Sequence, residues 1–363
     1  MFSRDLQNRV ASSLQRANVR INGARPWDIV VHDPRFYSAL VSRASLGLGE
    51  SYMDHWWDCA DLSEFFCHLL HAHLDRRLSL NWTAGLAFLR ARIANRQAKS
   101  QATENVHQHY DKGNALYQNM LGRWMLYSSA NWEHASNLDQ AGEAKLEFVC
   151  KKLHLRSGQR VLDIGCGWGG FAKYAAQRYG VHVVGITLST EQVYLAREWC
   201  ADLPVEIRLQ DYRELHEKFD HIVSLGMFEH VGHKNYRQYM HIVHRCLNPD
   251  GLFLLNTIGA NRTSYSLNPW TDKYIFPGAM LPSVAQIGAA VDGVFVMEEL
   301  QNWPGFYDRT LMAWYQKFQS NWNKLREAYS DRFRRMWEYY LLSSAGAFRS
   351  KAIQDWHILL SCS

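Results

Sequence analysis

Hydrophobic and polar positions follow two different patterns along this chain. Over residues 1–90 the apolar positions recur at helical spacing, as between Leu6 and Leu14, and they predict a mainly helical unit. From residue 160 onward, short apolar runs alternate with amphipathic segments, which is typical of a doubly wound α/β sheet. We therefore expect a smaller helical unit over residues 1–90 and an α/β unit over residues 105–363, with a linker at 91–104.

The same pattern places the individual elements. The predicted strands are Ile29–Val31, Val161–Ile164, Val181–Ile186, Val205–Leu209, Phe219–Leu225, Gly251–Thr257 and Thr310–Trp314. The predicted helices are Leu138–Leu153, Phe171–Ala176, Glu191–Cys200 and Tyr236–Cys246, and the aromatic-rich C-terminal region is also expected to be helical. Because strands and helices alternate from Arg160 to Thr257, the larger unit is expected to have a Rossmann-like sheet.

The stretch Val161–Gly170 reads Val-Leu-Asp-Ile-Gly-Cys-Gly-Trp-Gly-Gly and joins a predicted buried strand to a predicted helix. Its glycines let the backbone approach a ligand closely, at the carboxyl end of a strand, where open α/β sheets bind ligands. A dinucleotide fold requires G-x-G-x-x-G and an acid about 20 residues further on, whereas here the acid, Asp163, lies inside the strand. The end of the next strand, Gly185–Ser189, carries no carboxylate. A glycine turn that binds no ligand is the alternative to a cofactor loop.

The composition predicts a packed globular protein with many aromatic rings. Of the 363 residues, 47% are hydrophobic and 21% are charged, so a folded core is expected rather than disorder. Aromatic residues make up 13% and include 14 Trp and 18 Tyr, which suggests a use beyond filling the core. The formal net charge of +5 suits an anionic surface such as phospholipid headgroups, and it is too small to indicate binding of nucleic acid.

The cysteines and histidines do not form a disulfide or metal-binding pattern in the sequence. Seven cysteines are scattered without a C-x-x-C pair, which predicts reduced thiols in a cytoplasmic protein. His68 and His71 would share a helical face, but surface or capping roles are favoured over a metal site. The N-terminus lacks a signal-peptide core, and no apolar run approaches the roughly 18 residues that span a bilayer. We expect a soluble protein that contacts the inner membrane face peripherally.

Several stretches before the glycine loop have features beyond packing. Residues 90–104 contain four cations and no acid until the last position, which favours a solvated linker or a basic stripe facing a membrane. The adjacent Trp56 and Trp57 are a second candidate for contact with the membrane. The mixed aromatic and polar segments at 107–114 and 124–132 precede the α/β unit, where such segments usually fold over a cofactor as a lid.

Seven motifs, taken in order, resemble the cyclopropane-fatty-acyl-phospholipid synthase family, which belongs to the class I S-adenosylmethionine (SAM) methyltransferases. The motifs are His109–Asn114, Tyr127-Ser128, Leu162–Gly170, Gly185–Gln192, Met227–Val231, Asn268–Pro277 and Tyr307–Trp314. The resemblance covers nearly the whole chain, including Ser45–Asp54 in the helical unit. It implies a Rossmann-like SAM methyltransferase sheet with a smaller N-terminal domain that presents lipid, and family analogy suggests a homodimer.

The resemblance also implies a reaction. The expected substrate is the cis double bond of an unsaturated acyl chain in a membrane phospholipid, and the expected product is a cyclopropane ring. The alkene attacks the SAM methyl group, leaving a carbocation, and a bound bicarbonate ion removes a proton from the added methyl so that the ring closes. An alkene is a poor nucleophile and requires a dry pocket, while the cation requires electron-rich ring faces, which the aromatic excess can supply.

The resemblance assigns roles to individual residues. SAM would be bound by Tyr127, Ser128, Asp163, Gly165, Cys166, Gly167, Thr187, Leu188, Ser189, Gln192, Gln210, Asp211 and Tyr212. Bicarbonate would be held by Glu229, the Ile258 backbone and Tyr307, together with Ser129 and Asn256. Ser129 stands where the family has a cysteine and Asn256 where it has a histidine, so a weaker hold on the anion is expected. Ser344 replaces the family's C-terminal cysteine, which excludes thiol catalysis there.

Two alternatives follow from these departures. The first is a related SAM methyltransferase that gives a methyl- or methylene-branched lipid, or one that methylates an amine. The second is a lipid-binding protein that keeps the fold without turnover. The carboxylates Asp163 and Glu229 and the hydroxyl of Tyr307 argue against the second, because a binding module has no need of a carboxylate beside the cofactor.

Overall fold

The structure, a computed structural model, describes residues 2–74 and 113–362. The expected domain boundary at residue 90, the linker at 91–104 and most of the 107–114 segment lie outside the described residues. The first part of the chain forms helices α1 (Phe2–Arg16), α2 (Arg35–Met53) and α3 (Leu62–His71), with strands β1 (Ile29–Val31) and β2 (Trp57–Cys59). Strands β1 and β2 pair in antiparallel orientation, so the strand expected at Ile29–Val31 is confirmed.

The remaining strands form one seven-stranded sheet with the order β5-β4-β3-β6-β7-β9-β8. They are β3 (Arg160–Ile164), β4 (His182–Thr187), β5 (Val205–Leu209), β6 (Phe219–Leu225), β7 (Leu247–Ala260), β8 (Phe295–Asn302) and β9 (Ile353–Cys362). Strands β3 to β7 are parallel, and β9 runs antiparallel to both of its neighbours. The expected α/β fold with a Rossmann-like methyltransferase sheet is confirmed.

Helices cover this sheet and extend beyond it. They are α4 (Asn114–Met120), α5 (Leu138–Lys152), α6 (Gly170–Tyr179), α7 (Thr190–Trp199), α8 (Tyr236–Cys246), α9 (Pro269–Tyr274), α10 (Val284–Val291), α11 (Pro304–Leu325) and α12 (Asp331–Arg349). The helices expected at Leu138–Leu153, Glu191–Cys200 and Tyr236–Cys246 are confirmed to within two residues. Asn137 and Ser189 begin α5 and α7 by accepting a hydrogen bond from a backbone N–H of the first turn.

The prediction of a strand at Thr310–Trp314 is wrong, because these residues lie within α11. Tyr307, Leu311, Trp314 and Phe318 are buried at spacings of three and four, which is the period of a helix. A five-residue window was too short to reveal that period. The aromatic-rich C-terminal region is helical as expected, in α11 and α12, and it is followed by β9, which was not predicted.

The N-terminal helices pack against α12, and both share one hydrophobic cluster with α11. Trp57 is fully buried in this cluster, and its indole N–H donates to the Leu48 carbonyl 3.1 Å away. Trp56 is half-buried beneath the guanidinium of Arg35. The prediction that this tryptophan pair contacts a membrane is therefore wrong for Trp57, whose ring is packed inside the protein.

The strand order places the glycine loop where ligands bind in this class of sheet. Successive strands extend from β3 to β4 and β5 on one side, and the chain then returns to add β6 and β7 on the other. The carboxyl ends of β3 and β6 therefore flank a topological switch point, at which the connecting loops separate and leave a crevice.

Candidate active site

The glycine loop after β3 makes a tight turn into α6. Gly165 has a φ of +81°, which favours glycine, and the N–H groups of Gly165 and Cys166 both donate to the Ile186 carbonyl on β4. At Gly170 a Cβ atom would lie 2.0 Å from the carbonyl oxygen of Trp124. The loop thus needs glycine both to turn and to let the 124–132 segment approach it.

A cavity opens at this loop, between the ends of β3, β4 and β6. It is lined by Tyr127, Ser128, Asp163, Gly165, Cys166, Gly167, Thr187, Leu188, Gln192, Gln210, Asp211 and Tyr212, together with Met125, Leu126, Trp168, Met227 and His230 among others. All the residues predicted to bind SAM therefore line one cavity, except Ser189. Ser189 is buried, and its hydroxyl instead accepts a hydrogen bond from the backbone N–H of Gln192 at the start of α7.

Asp163 provides the buried charge of this cavity. Its side chain is at the end of β3, and the residue is 2% exposed. One carboxyl oxygen, Oδ2, has no hydrogen-bond partner within the described ranges. Burial raises the pKa of Asp163 to about 7. A cationic or hydrogen-bonding ligand in the cavity would supply the missing partner and return the carboxyl group to its charged form.

The other acidic residue of the cavity, Asp211, already has a partner. Its two oxygens accept hydrogen bonds from the backbone N–H and the guanidinium of Arg213, at 2.9 and 2.8 Å. That guanidinium also lies over the Tyr212 ring, 4.8 Å from its centroid. These contacts fix the turn after β5, on the side of the cavity away from β6.

Aromatic rings surround Tyr127 at the other end of the cavity. The Tyr127 ring lies 5.3 Å from Trp314 and 6.5 Å from Phe276, measured between centroids. Its hydroxyl is 2.8 Å from that of Tyr340, whose ring packs at 5.8 Å against Phe276. His230, which also lines the cavity, has its pKa lowered to about 4 by burial and stays neutral. This end of the cavity presents the ring of Tyr127, with the other rings packed behind it, and no formal positive charge from His230.

Glu229 lies in the single turn Phe228–His230 that follows β6, next to cavity residues Met227 and His230. Its Oε1 accepts a hydrogen bond of 2.6 Å from the backbone N–H of Ile258, while Oε2 has no partner in the described part of the chain. Burial raises the pKa of Glu229 to about 7, and the Ile258 N–H opposes this rise. The carboxyl group is thus poised to exchange a proton near neutral pH.

None of the five residues predicted to hold bicarbonate lines the cavity; Glu229, Tyr307, Ser129 and Asn256 are buried, and Ile258 is half-buried. Asn256 Oδ1 accepts a hydrogen bond of 2.8 Å from the hydroxyl of the cavity residue Ser128. The next residue in the chain, Ser129, is fully buried. The structure joins Glu229 to Ile258 and Ser128 to Asn256, and it places Tyr307 against Phe348, with their rings stacked at 4.4 Å.

The sequence analysis missed three buried residues that contact Asn256 or its partner: Lys145, Asp355 and His357. Lys145 lies on the apolar face of α5 beside Leu146 and Val149, and a cation at such a position is a signal that could have been noticed. Asp355 and His357 alternate on β9, which was not predicted as a strand, so their common face could not be recognised.

Three further observations describe the rest of the molecule. All seven cysteines are free thiols, as expected from their spacing. Among the described residues, no group of three or more His, Cys, Asp or Glu side chains is arranged to hold a metal ion. No helix in the described ranges is both long and apolar enough to cross a bilayer.

Comparisons with known proteins point to one family. The family model described as mycolic acid cyclopropane synthetase matches residues 97–358. The chain is 49% identical over 354 residues to the cyclopropane-fatty-acyl-phospholipid synthase of Escherichia coli (strain K12), covering 97% of this chain and 93% of that protein. It is 34% identical to a probable fatty acid methyltransferase of Pseudomonas putida, over 72% of this chain and 70% of that protein.

Solved structures give the same result. The cyclopropane synthase MmaA2 from Mycobacterium tuberculosis matches with a TM-score of 0.68 and 28% identity, over 71% of this chain and 97% of that one. The mycolic acid cyclopropane synthase CmaA1, complexed with SAH and CTAB, matches with a TM-score of 0.67 and 29% identity over the same shares of the two chains. Coclaurine N-methyltransferase, at 21% identity and a TM-score of 0.71, shares the fold.

Proposed function

This chain belongs to the mycolic acid cyclopropane synthetase family and is a SAM-dependent methyltransferase, and we propose that it makes cyclopropane rings in phospholipid acyl chains. In this proposal a methylene group passes from SAM to the cis double bond of an unsaturated chain. The similarity to the E. coli synthase over nearly the full length of both proteins supports the substrate class. The observation that carries the proposal is the placement of Glu229, a buried carboxyl group with a raised pKa, beside a cavity lined by a glycine loop and aromatic rings.

The cavity fits SAM, because a buried carboxyl oxygen and an open glycine loop are both available to a ligand. Asp163 Oδ2 would accept a hydrogen bond from the amino group of the methionine end, and a Cβ at Gly167 would meet nothing within 4 Å. The other proposed contacts are Tyr127, Ser128, Gly165, Cys166, Thr187, Leu188, Gln192, Gln210, Asp211 and Tyr212, with Ser189 supporting Gln192. SAM supplies the electrophilic methyl group when it is bound.

The aromatic end of the cavity suits the alkene and the positive charge that follows methyl transfer. Tyr127 lines the cavity, and the rings of Phe276, Trp314 and Tyr340 pack around it beside the cavity, where they would keep water away from the double bond. Ring faces stabilise a cation by about 0.5–2 kcal/mol per contact, without acting as nucleophiles. The neutral His230 does not oppose this charge.

Proton removal completes the proposed reaction. Bicarbonate would supply the base, and Glu229, the Ile258 N–H and Tyr307 are the residues proposed to hold it. Glu229 Oε2 remains available to hydrogen-bond with an anion that carries a proton. Ser129 and Asn256 are the weaker members of this set, because their side chains already contact Lys145.

The N-terminal helices are proposed to present lipid to the catalytic unit at the surface of a membrane. Residues 1–90 would form this domain, residues 91–104 the linker, and residues 105–363 the catalytic domain. The mildly basic net charge of +5 supports contact with anionic headgroups. A cytoplasmic location at the inner membrane face and a homodimer belong to the same proposal.

The test is identification of the product. Vesicles of phospholipid with a cis-unsaturated chain are incubated with the protein and methyl-labelled SAM, and the acyl chains are analysed by mass spectrometry and NMR. We expect a mass gain of one methylene and the ring signals of a cyclopropane, with no product from vesicles of saturated lipid. A methyl or methylene branch, or label on an amine headgroup, would instead assign one of the two related methyltransferase activities.

A further inference from the structure

Lys145 is a fully buried ammonium group that meets no carboxylate directly. It projects from α5, and its Nζ donates to His357 Nε2 at 2.5 Å, Asn256 Oδ1 at 3.0 Å and Ser129 Oγ at 3.3 Å. These three neutral acceptors use all three of its N–H donors. Its ring contact is with Trp303, 5.3 Å away. Burial lowers the pKa of Lys145 to about 8, and Asp355 opposes that effect.

Asp355 lies on the same face of the sheet as Asn256. Asn256 on β7 is opposite His357 on β9, and Ile258 is opposite Asp355, so these four side chains share one face. Asn256 Nδ2 donates to Asp355 Oδ1 at 2.7 Å and to the Trp356 carbonyl at 3.1 Å. Both N–H groups of the Asn256 amide are therefore in use.

The orientation of that amide follows from its neighbours. The amide oxygen of Asn256 faces two donors, the Lys145 ammonium and the Ser128 hydroxyl. The amide nitrogen faces acceptors, among them Asp355 Oδ1. Ser129 accepts a hydrogen bond from the same ammonium group. Asn256 thus bridges an ammonium to a carboxylate: Lys145, then the neutral amide, then Asp355.

This bridged pair is continuous with the proposed reaction site. On one side, Ser128 lines the cavity and donates a hydrogen bond to Asn256. On the other side, Ile258 lies opposite Asp355 in the sheet, and its N–H donates to Glu229. The negative charge of Asp355 raises the pKa of Glu229, so the two carboxyl groups interact electrostatically. A charge change at Asp355 is therefore expected to alter the pKa of Glu229.

We propose that Asp355 takes a hydrogen bond of Asn256 that an external anion would otherwise receive, so that Lys145 and Asp355 are positioning residues with opposite effects on bicarbonate. Resting on the proposed function, this identifies what sets the affinity of the site for its base. Asp355 uses up a donor and repels the anion, whereas Lys145 attracts it. Because the Ile258 N–H already donates to Glu229, bicarbonate is then held mainly by Glu229 and Tyr307.

Removing the charge of Asp355 and removing that of Lys145 are expected to change the affinity for bicarbonate in opposite directions. Asp355→Asn keeps the shape and the acceptor for Asn256 but removes the negative charge, and we expect the half-saturating bicarbonate concentration to fall about tenfold. Lys145→Met removes the ammonium, and we expect that concentration to rise about tenfold. A purely structural role would make both variants worse in the same direction.

The experiment measures turnover on vesicles of unsaturated phospholipid in buffer depleted of carbon dioxide, with bicarbonate added back in steps. Binding of ¹³C-labelled bicarbonate is followed by NMR on the same proteins, with SAM affinity and Tm as checks on folding. Asp28→Asn is the matched control, because Asp28 is an equally buried carboxylate in the N-terminal unit, paired with Arg25. Asp355→Leu replaces Asp355→Asn if the latter does not fold, since it also removes the charge.

Opposite shifts for Asp355 and Lys145, with no shift for Asp28→Asn, support the inference. A response to bicarbonate that appears only in the Asp355 variants supports it equally. Shifts in the same direction, or no shift and no binding in any protein, overturn it. Product analysis is a separate result: if the native protein forms no cyclopropane lipid, the proposed function fails, while the NMR titration still decides the role of Asp355.

Discussion

Two buried carboxyl groups of the N-terminal unit differ in their partners from three others that lie around the cavity. In the N-terminal unit, Asp28 accepts hydrogen bonds from the Arg25 guanidinium and from two backbone N–H groups, and Glu50 contacts Arg43, Lys273 and Tyr274. The Arg25 side chain lowers the pKa of Asp28 to about 2. Burial favours neutral Glu50, but Lys273 and Tyr274 outweigh it and lower the pKa.

Around the cavity, Asp163, Glu229 and Asp355 each keep one oxygen that has no partner among the described residues. Burial raises the pKa of all three. A buried carboxylate without a full set of donors costs stability, whereas a paired one contributes to it. The contrast indicates that the carboxyl groups of the N-terminal unit stabilise the fold, whereas those around the cavity keep oxygen atoms available to bind ligands.

Glu229→Gln is the strongest test of this distinction. The amide keeps the size of the side chain but is a weaker acceptor for the hydroxyl of bicarbonate than a carboxylate is. If the positioned base is lost with it, we expect turnover on lipid vesicles to fall about 10²- to 10⁴-fold. SAM affinity, measured by calorimetry, should change less than twofold. The control is Glu50→Gln, at a carboxyl group that has charged partners, and this variant should keep its turnover per folded molecule. Equal losses of turnover in the two variants would show that the two regions do not differ in function.

Asp28→Asn tests the stabilising side of the comparison. Loss of the charged hydrogen bonds to Arg25 should lower the free energy of unfolding by about 3 kcal/mol, measured by urea denaturation. Asp163→Asn, measured without SAM, should leave that free energy unchanged or raise it, because the native carboxyl lacks a partner. A destabilisation by Asp163→Asn as large as that by Asp28→Asn would contradict our interpretation.

With SAM present, Asp163 should behave in the opposite way. Asp163→Ala should weaken SAM binding by about 2 kcal/mol, or about thirtyfold, because a hydrogen bond from a charged ligand group is lost. Calorimetry at pH 7.5 measures this, with Asp28→Ala as the control at a paired site. Unchanged affinity would show that the glycine-loop cavity does not bind SAM through this carboxyl group.

The smallest expected effect is a pH dependence of opposite sign in the two regions. Asp163 and Glu229 retain protons up to about pH 7 in the folded state, whereas the unfolded chain has already lost them. The SAM-free protein should therefore lose about 1 kcal/mol of stability per group between pH 6 and 8. The lowered pKa of Asp28 makes its contribution disappear only as the pH falls from about 4 toward 2.

The measurement compares the native protein with the double variant Asp163→Asn/Glu229→Gln over pH 6–8. The difference between the two unfolding free energies isolates these groups from the histidines that titrate in the same range. We expect the unfolding free energy of the native protein, relative to that of the double variant, to fall with rising pH and to recover when SAM is added. A difference that stays constant with pH would show that the two carboxyl groups are already ionised in the folded state.

The elements that depend on local pattern were predicted well. Arg160–Ile164 and Phe219–Leu225 are short, buried parallel strands whose apolar runs end at glycines, and both the strands and the glycine loop were placed correctly. The resemblance located many of the cavity residues because three of its motifs, Leu162–Gly170, Gly185–Gln192 and Met227–Val231, lie at the ends of β3, β4 and β6. Tertiary position was not needed for that step.

Features that depend on distant parts of the chain were not predicted. Lys145 was taken as part of an ordinary amphipathic helix, because its partners Asn256 and His357 lie on strands far away in sequence. The amide of Asn256 was expected to hydrogen-bond to an anion, but both of its N–H groups donate to acceptors on β9. Such hydrogen bonds follow from the register between β7 and β9, which no local period encodes.

Strand β9 enters the sheet between β7 and β8, although it follows both in the chain. Its pairing closes a long loop, and contacts between residues so far apart in sequence form late and slowly. The cavity residues from Tyr127 to His230 come from segments that precede β7, whereas Asp355 and His357 arrive only with β9. We therefore expect two steps in folding. The cofactor cavity can assemble first from neighbouring segments, and the residues that set the affinity for the anion take their places only when β9 pairs with the sheet.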